Sequence, residues 1–295
     1  MKALNCVGFW LWIALCSGVT AQDLAPVAAA RLAEQFEAPA FAPDVLSGAD
    51  LITAEQVQDA YVLRLMSSMG GVVGYKAGLT SRVAQQRFSV DHPLLGLLLH
   101  DMLLPSPARI SVQSGARLLV EADLLVRVAD VSINQARDWS ELLRAIDAVV
   151  PFIEVPDLLY DPQVRITAPL LQAANVGARW GVLGTPIPLR AGEDWHRRLA
   201  EFQVSLESSQ GEPITGQGRD LLGHPLAIVE WLRDAVQARG RHLNPGDLLS
   251  LGSLTSLRPA QLGSLRALYT GLDPAGPVTV ELEFISSAMA SPVSQ

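Results

Sequence analysis

Three acidic side chains lie within two otherwise apolar segments of the chain. Glu121 and Asp123 are one residue apart in segment 117–128, and Glu154 lies in segment 149–157. Such apolar segments predict strands that are buried on both faces. Because side chains two apart on a strand point to the same face, Glu121 and Asp123 should lie side by side. Two buried carboxylates repel each other and lose hydration, so a cation, a proton or a metal ion must compensate them.

The three acids come from two predicted strands that we expect to be adjacent and to place them on a shared face, and together they favour a divalent cation. All three are oxygen ligands, and no cysteine or histidine motif accompanies them. Hard oxygen ligands select Mg²⁺, Mn²⁺ or Ca²⁺ over zinc, and three protein ligands leave positions open for water or substrate. The alternative is structural: the acids cap strand ends or pair with Arg117, Arg127 or Arg144.

Lys76 is a candidate for acid–base chemistry. The chain has 22 basic residues, of which only Lys2 and Lys76 are lysines. A general preference for arginine explains the shortage of lysine, but a buried amine can lose its proton and a guanidinium cannot. Gly74 and Gly78 flank Lys76 in a short strand, which indicates that the backbone is crowded there. From the small number of lysines alone, Lys76 has either a chemical role or no special role.

The composition restricts the class of ligand. The chain has 295 residues, of which 49% are hydrophobic and 18% charged, with a formal net charge of −8. These values are typical of a globular protein. An acidic chain without a Lys/Arg cluster is a poor nucleic-acid binder, and Gly216-Gln217-Gly218 lacks the strand–turn–helix context of a dinucleotide site. We therefore expect a small-molecule ligand.

The N-terminus has the pattern of a secretory signal. Met1 and Lys2 precede an apolar run, and the small residues of segment 17–21 predict cleavage after Ala21. Cys6 and Cys16, the two cysteines of the chain, would leave with this peptide. We predict a periplasmic or secreted protein without cysteine chemistry and without membrane association after cleavage.

The hydrophobic patterns predict one α+β domain preceded by a helical arm. Segment 24–37 has a helical pattern, and Thr53 with Gln56 suggests a capping box for a second helix to about Ser68. A short helix is expected over 82–87 and another over 138–148, and the last third is mostly β. The predicted organisation is a signal peptide at 1–21, an N-terminal helical arm at 22–71 and a catalytic domain at 72–295.

Several motifs, in the same order, resemble the 2-keto-4-pentenoate hydratase and 4-oxalocrotonate decarboxylase branch of the fumarylacetoacetate hydrolase superfamily. The resemblance extends from about residue 50 to the C-terminus. The motifs are Gly74 to Ser81, Val90-Asp91 with Gly96, Val120 to Asp123, Val150-Pro151 with Glu154 and Asp157, Leu222 to Pro225 with Trp231-Leu232, and Gly252 to Thr255. It implies a fumarylacetoacetate hydrolase-like mixed, β-rich fold.

The resemblance also implies a set of functional residues. Glu121, Asp123 and Glu154 would bind one Mg²⁺ or Mn²⁺, and Lys76 would transfer protons or position the substrate, with Asp91 near it. The residues expected to bind the substrate are Leu79, Ser81, Asn175, Ser253 and Thr255.

The implied reaction is that of a hydratase-type lyase acting on a small 2-hydroxydienoic or 2-oxo acid. Loss of CO₂ and acylpyruvate-type hydrolysis are the alternatives, and we expect a homo-oligomer. The chain departs from the family in having Asp123 where glutamate is usual, Ala174 where an acid is usual, and no basic residue at 158–159. Familiar members are cytosolic enzymes of aromatic ring-cleavage pathways, so an exported binding protein without turnover is a further alternative.

Overall fold

Two β-sheets form the body of the protein, and helices pack against both of them. The structure, a computed structural model, describes residues 21–46, 48–190 and 192–286. The predicted signal peptide lies outside these residues except for its last position, Ala21. Within the described ranges, no helix combines the length and the apolar character that crossing a membrane requires.

Seven α-helices were found in the described residues. They are α1 (Ala21–Glu37), α2 (Leu51–Met69), α3 (Arg82–Phe88), α4 (Trp139–Arg144), α5 (Ala168–Ala173), α6 (Trp195–Glu201) and α7 (Pro225–Ala238).

The described residues also form fourteen strands. They are β1 (Val72–Gly78), β2 (Leu94–Leu99), β3 (Leu103–Pro105), β4 (Ala108–Ser111), β5 (Leu119–Val128), β6 (Ile146–Val155), β7 (Trp180–Leu183), β8 (Ile187–Pro188), β9 (Gln203–Ser208), β10 (Ile214–Gln217), β11 (Leu248–Ser250), β12 (Arg258–Pro259), β13 (Gly263–Asp273) and β14 (Gly276–Ile285).

The first sheet contains the segments that carry the acids. Its strand order is β2-β1-β11-β5-β6-β7-β3, with β12 paired to β5 and β8 paired to β6. Strands β5 and β6 lie at its centre, and nearly all of their residues are buried. The second sheet, in the order β10-β9-β13-β14-β4, packs against it through β5, β6 and β7, and helices contact β1, β2 and β6.

The second sheet has one buried and one exposed face. Along β13 and β14, buried apolar residues alternate with residues that face water. This is the pattern expected of an antiparallel sheet that packs on a core from one side. The α+β class predicted from the sequence is confirmed by this arrangement.

The N-terminal helices agree in outline with the predicted arm. Helix α1 includes the predicted segment 24–37, and α2 ends at Met69. The predicted capping box is wrong, because Asp50 is the N-cap and its side chain accepts a hydrogen bond from the Thr53 amide. The helix predicted over 138–148 is also shorter, because Ile146 already belongs to β6. The boundary between arm and catalytic domain stays a prediction.

Candidate active site

The antiparallel pairing of β5 and β6 brings the predicted acids together. Glu121 lies directly opposite Glu154 in the register, and Asp123 lies opposite Phe152. Opposed residues of an antiparallel pair share a face, so the three carboxyl groups occupy one side of the sheet. Glu121 is 4% exposed, Glu154 3% and Asp123 0%. The sequence alone predicted both the adjacent strands and the shared face.

Lys76 reaches this cluster from a strand that is not adjacent to β6. Strand β1 pairs with β2 on one side and with β11 on the other, and β11 separates it from β5. The Lys76 Nζ forms an ion pair with Glu154 Oε1. It also donates a hydrogen bond of 3.0 Å to the carbonyl of Val176. A Cβ at Gly96 would lie 2.6 Å from Lys76 Cγ, so only glycine leaves room for this side chain.

The Val176 carbonyl belongs to a strained stretch of backbone. Asn175 and Val176 have φ values of 54°, and Gly177 has a φ of 70°. A β-branched residue such as valine is rarely found in this left-handed region. The Asn175 side chain stabilises the stretch by accepting hydrogen bonds from the Leu97 amide at 2.8 Å and from Gln58 Nε2 at 2.9 Å. Its amide nitrogen donates to the Leu97 carbonyl at 2.8 Å.

Two serines donate hydrogen bonds to the acids. The Ser253 hydroxyl donates to Glu121 Oε2, and the Ser250 hydroxyl donates to Asp123 Oδ2. Asp123 Oδ1 accepts a hydrogen bond from the Leu124 amide. Asp123 is thereby held at the rear of the cluster, bonded to the neighbouring strand β11 and to its own backbone.

The cluster contains more negative than positive charge. Burial, and secondly the nearby Glu154 carboxylate, raise the pKa of the Glu121 carboxyl well above its usual range. The same two causes raise the pKa of Asp123. Lys76 opposes both shifts, but one ammonium group cannot neutralise three carboxylates. Without a further cation, the site therefore favours protonated acids.

The donor type and the charge of the cluster fit a divalent cation. Three hard oxygen ligands with a surplus of negative charge are what Mg²⁺ or Mn²⁺ requires. The side chains are not arranged as a finished site, since no three acidic, histidine or cysteine side chains in the described ranges converge to hold an ion. The Glu154 carboxylate is paired with the Lys76 amine, and the Asp123 carboxylate accepts a hydrogen bond from the Ser250 hydroxyl. The predicted ligand set stays a prediction.

A cavity of about 1120 Å³ opens above the cluster. Lys76, Glu121 and Glu154 form part of its lining, whereas Asp123 does not reach it. Four of the residues expected to bind substrate also line the cavity: Leu79, Ser81, Ser253 and Thr255. These residues are placed where a ligand could touch them, and the contact itself stays a prediction.

The comparison with known proteins identifies the family. No family model matches the chain. The chain is 34% identical over 219 residues to 2-keto-4-pentenoate hydratase of Paraburkholderia xenovorans (strain LB400), an alignment that covers 70% of this chain and 78% of the relative. The chain belongs to the 2-keto-4-pentenoate hydratase family. The resemblance stated from the sequence motifs is thereby confirmed.

This hydratase-family chain is also similar to 4-oxalocrotonate decarboxylases, in sequence and in structure. It is 24% identical over 202 residues to 4-oxalocrotonate decarboxylase of Pseudomonas putida, covering 68% of this chain and 75% of the relative. The structure of 4-oxalocrotonate decarboxylase from Pseudomonas putida G7, complexed with magnesium and adipate, superimposes with a TM-score of 0.78. That match has 22% identity and covers 91% of this chain and 99% of the other, so it confirms the fold.

The structure corrects two predicted roles. Asn175 was expected to bind substrate, but it is 0% exposed and its side-chain amide is hydrogen-bonded within the protein. Asp91 was expected near Lys76, but its side chain is 97% exposed and it does not line the cavity. Asp91 lies in the bend that follows α3, where the chain turns back into β2.

The structural alternative for the three acids also fails. Arg127 pairs with Asp147 at 2.8 Å, and Arg144 lies 3.9 Å from Glu141. Arg117 has no ion pair with any residue in the described ranges. None of these arginines compensates the buried acids.

Sequence reasoning missed two polar contributions to this hydratase-family site. Ser250 contacts Asp123 because β11 pairs with β5, a pairing of distant segments that no local pattern reveals. The Tyr269 hydroxyl, from the second sheet, lies 2.6 Å from the Asp123 carbonyl and 2.7 Å from the Phe152 carbonyl. The available signal was a serine and a tyrosine within apolar segments, but it does not specify their partners.

Proposed function

We propose that this chain is a divalent-metal-dependent hydro-lyase that adds water to a small 2-hydroxydienoic or 2-oxo acid. The observation that carries the proposal is the buried cluster of Glu121, Glu154 and Lys76 at the base of the cavity, with Asp123 behind it. Membership of the hydratase family supports the reaction class. Residues that carry such a surplus of buried charge are common at catalytic sites.

Glu121, Asp123 and Glu154 would hold the metal. The raised pKa values of Glu121 and Asp123 support this assignment, because a bound cation supplies the positive charge that the cluster lacks. The magnesium named in the decarboxylase structure of the same fold supports it as well. When bound, such an ion supplies Lewis acidity toward the carboxylate and the adjacent oxygen of a 2-oxo or 2-hydroxy acid.

Lys76 is the group best placed to move a proton. Its side chain is 4% exposed, and its Nζ lies between Glu154 and the Val176 carbonyl. Glu154 would be shared between a bound cation and Lys76, so the Lys76 amine would be less tightly paired and available to the substrate. In the hydration, the oxygen of water bonds to one carbon of the remote double bond, and a proton is added to the conjugated carbon chain.

Hydroxyl groups at the cavity wall would orient the substrate. Ser253 lines the cavity and donates to Glu121, so its position is fixed by one of the acids. Thr255 Oγ1 accepts a hydrogen bond of 3.0 Å from the Ala122 amide on β5. Its own hydroxyl hydrogen is therefore available to a ligand in the cavity. Both contacts hold polar groups close to the base of the cavity.

Decarboxylation is a second candidate. The fold match to 4-oxalocrotonate decarboxylase covers nearly all of both chains, which supports this reaction on the same scaffold. Loss of CO₂ from an unsaturated 2-oxo diacid leaves an electron pair that the conjugated 2-oxo group accepts, and this gives a 2-hydroxydienoate, the class of acid that hydration starts from. Residue types at the base of the cavity therefore do not separate the two reactions.

The experiment is a turnover assay on the purified, metal-loaded protein. A 2-hydroxydienoate is mixed with the protein and Mg²⁺ or Mn²⁺, its ultraviolet absorbance is followed, and the products are identified. A hydroxylated 2-oxo acid confirms hydration, and release of CO₂ from an unsaturated 2-oxo diacid assayed in parallel would support decarboxylation instead. Binding of the acid without any product, at full metal occupancy, would overturn the enzymatic proposal and favour a binding protein.

We also propose that the protein is exported. The apolar N-terminal run and the small residues of segment 17–21 support this. Cell fractionation of the full chain, with N-terminal sequencing of the recovered protein, tests the proposal. A mature protein that begins after Ala21 in the periplasm or medium is expected, and an uncleaved cytoplasmic protein would contradict it.

A further inference from the structure

We propose that the substrate carries a second carboxylate, at the end remote from the 2-oxo or 2-hydroxy group, and that Arg117 binds it. This inference rests on the proposed function for the inner end of the substrate. It adds the class of the acid, a linear dicarboxylate, and a residue that selects it.

Arg117 lies on the same wall of the cavity as the buried acids. Arg117, Leu119 and Glu121 alternate along one extended segment, and all three line the cavity. The isolated bridge of Leu118 with Asp157 continues the register of Glu121 with Glu154, so Arg117 keeps the alternation. Four residues of extended chain place the Cα atoms of Arg117 and Glu121 about 13 Å apart.

The charges along this wall are complementary to those of a linear diacid. Lys76, Glu121 and Glu154 mark the inner end of the wall, Leu119 supplies an apolar middle, and Arg117 marks the outer end. Pro156 and Leu158, in the segment that follows β6, add to the apolar part of the cavity lining. A molecule with charge at both ends and a carbon chain between them matches this order.

The Arg117 guanidinium has no partner of its own in the described residues. Its Nε is buried and makes no hydrogen bond, although buried polar groups are nearly always bonded. Its main chain is fixed, since the Arg117 amide donates to Asp157 Oδ1 at 2.7 Å and its carbonyl accepts from the Leu158 amide at 3.1 Å. A fixed backbone with an unused planar fork is suited to bidentate binding of a carboxylate.

Two further arginines line the same cavity. Arg87 comes from α3 and Arg165 from the loop before α5, and neither has an ion pair or a side-chain hydrogen bond within the described ranges. The chain as a whole has a net charge of −8. Three unpaired arginines around one opening are therefore a local exception that attracts an anionic ligand. Asp220, an acid that also lines the cavity, accepts a hydrogen bond of 2.9 Å from the Gln217 amide.

The test uses two acids that differ only at the remote end. Binding of 2-oxohexanedioate and of 2-oxohexanoate to the Mn²⁺-loaded protein is measured by calorimetry, and turnover of the corresponding dienoates is measured separately. We expect the diacid to bind at least about tenfold more tightly, as one charge-assisted pair allows. Arg117→Gln should abolish most of that preference, and Arg117→Lys should restore part of it.

Arg64→Gln is the matched control. Arg64 is exposed on α2, away from the cavity, and its side chain has no partner within the described ranges. It should leave the ratio of the two affinities unchanged. Equal affinities in the wild type, no measurable binding of the diacid, or a preference that survives Arg117→Gln would overturn the proposal. A clear diacid preference without turnover would support it while contradicting the hydratase function, so the two failures are distinguishable.

Discussion

In the second sheet, charged side chains on β9, β13 and β14 face water and pair across strands, whereas in the first sheet β5 and β6 carry charge on a buried face. Arg266 on β13 pairs with Glu207 on β9 at 2.6 Å, with exposures of 49% and 32%. Such surface pairs contribute about 0–1 kcal/mol to stability. The pair of Lys76 with Glu154 has exposures of 4% and 3% and lies beside two further acids.

The difference shows that burial decides what the same residue types do. Water screens the surface pairs of the second sheet, such as Arg266 with Glu207 and Arg109 with Glu283, so little stability depends on each pair. In the first sheet, low exposure raises the pKa of Glu121 and Asp123, and the cluster lacks positive charge. The protein therefore keeps an arrangement that costs stability, which is expected where carboxylates serve binding or catalysis. Changes in the buried cluster should therefore have larger effects than matched changes on the surface.

The largest effect is expected from Lys76→Arg. The charge is retained, but a guanidinium does not exchange protons at accessible pH, so turnover of the dienoate should fall by about 10²–10⁴-fold. Arg266→Lys makes the reverse exchange in the surface pair and should leave turnover unchanged. Steady-state kinetics with Mn²⁺ at saturation measures both, and unchanged activity of Lys76→Arg would remove the amine from the mechanism.

Glu121→Gln should stabilise the metal-free protein. It removes one of three crowded carboxylates, and relief of a buried like charge is worth about 1–4 kcal/mol in urea unfolding with chelator present. A carboxyl whose folded pKa is raised holds its proton more tightly in the folded state, so wild-type stability declines as pH rises through that pKa. The gap between variant and wild type should therefore widen with rising pH. Glu207→Gln, on the surface, should show no such gap.

Asn175→Ala should destabilise the fold. The change removes the side-chain bonds to Leu97 and Gln58 and leaves buried backbone groups unpaired, at a cost of about 1–3 kcal/mol. The backbone that presents the Val176 carbonyl to Lys76 also loses its support, so turnover should fall with it. Asn244→Ala, at an exposed position, is the control. Unaltered unfolding of Asn175→Ala would show that the left-handed stretch needs no side-chain support.

The smallest effect is expected at His224, which lies outside the cluster. Burial lowers the pKa of this histidine, and its Nδ1 accepts a hydrogen bond from the Leu226 amide at the start of α7. The unfolded chain then binds protons more readily than the folded one, so stability declines as pH falls below about 6.5. Asn is also a good N-cap, so His224→Asn should retain the cap and lose this pH dependence. Thermal unfolding at pH 7.5 and 5.5 compares the two, and identical pH responses would contradict the assignment.

Local patterns predicted the central part of the site. The two-residue period placed Glu121 and Asp123 on one face, and two adjacent apolar segments predicted the pairing with Glu154 that the register shows. Lys76 was singled out by its rarity in the sequence. These features depend on short stretches of chain, in which side-chain direction follows from the strand itself.

The remaining features depend on contacts between distant segments. Strand β1 pairs in parallel with β11, more than 170 residues later, and this pairing brings Lys76 and Ser250 to the acids. No sequence period encodes such a partner. Asn175 was misassigned for the same reason, because a buried amide network and a ligand contact both require a polar residue in an apolar loop. Asp91 was misplaced because the bend after α3 turns its side chain outward.

The most direct test is Mn²⁺ binding to the chelator-treated protein, titrated calorimetrically in the wild type, in Glu154→Gln and in Glu283→Gln. Glu283 pairs with Arg109 on the exposed face of the second sheet, so it matches the charge removed without touching the cluster. We expect one Mn²⁺ per chain in the wild type and in Glu283→Gln. We also expect a loss of affinity in Glu154→Gln that exceeds the roughly 10–100-fold typical of residues that only support a ligand. Absence of binding in the wild type, or equal binding by all three proteins, would contradict it.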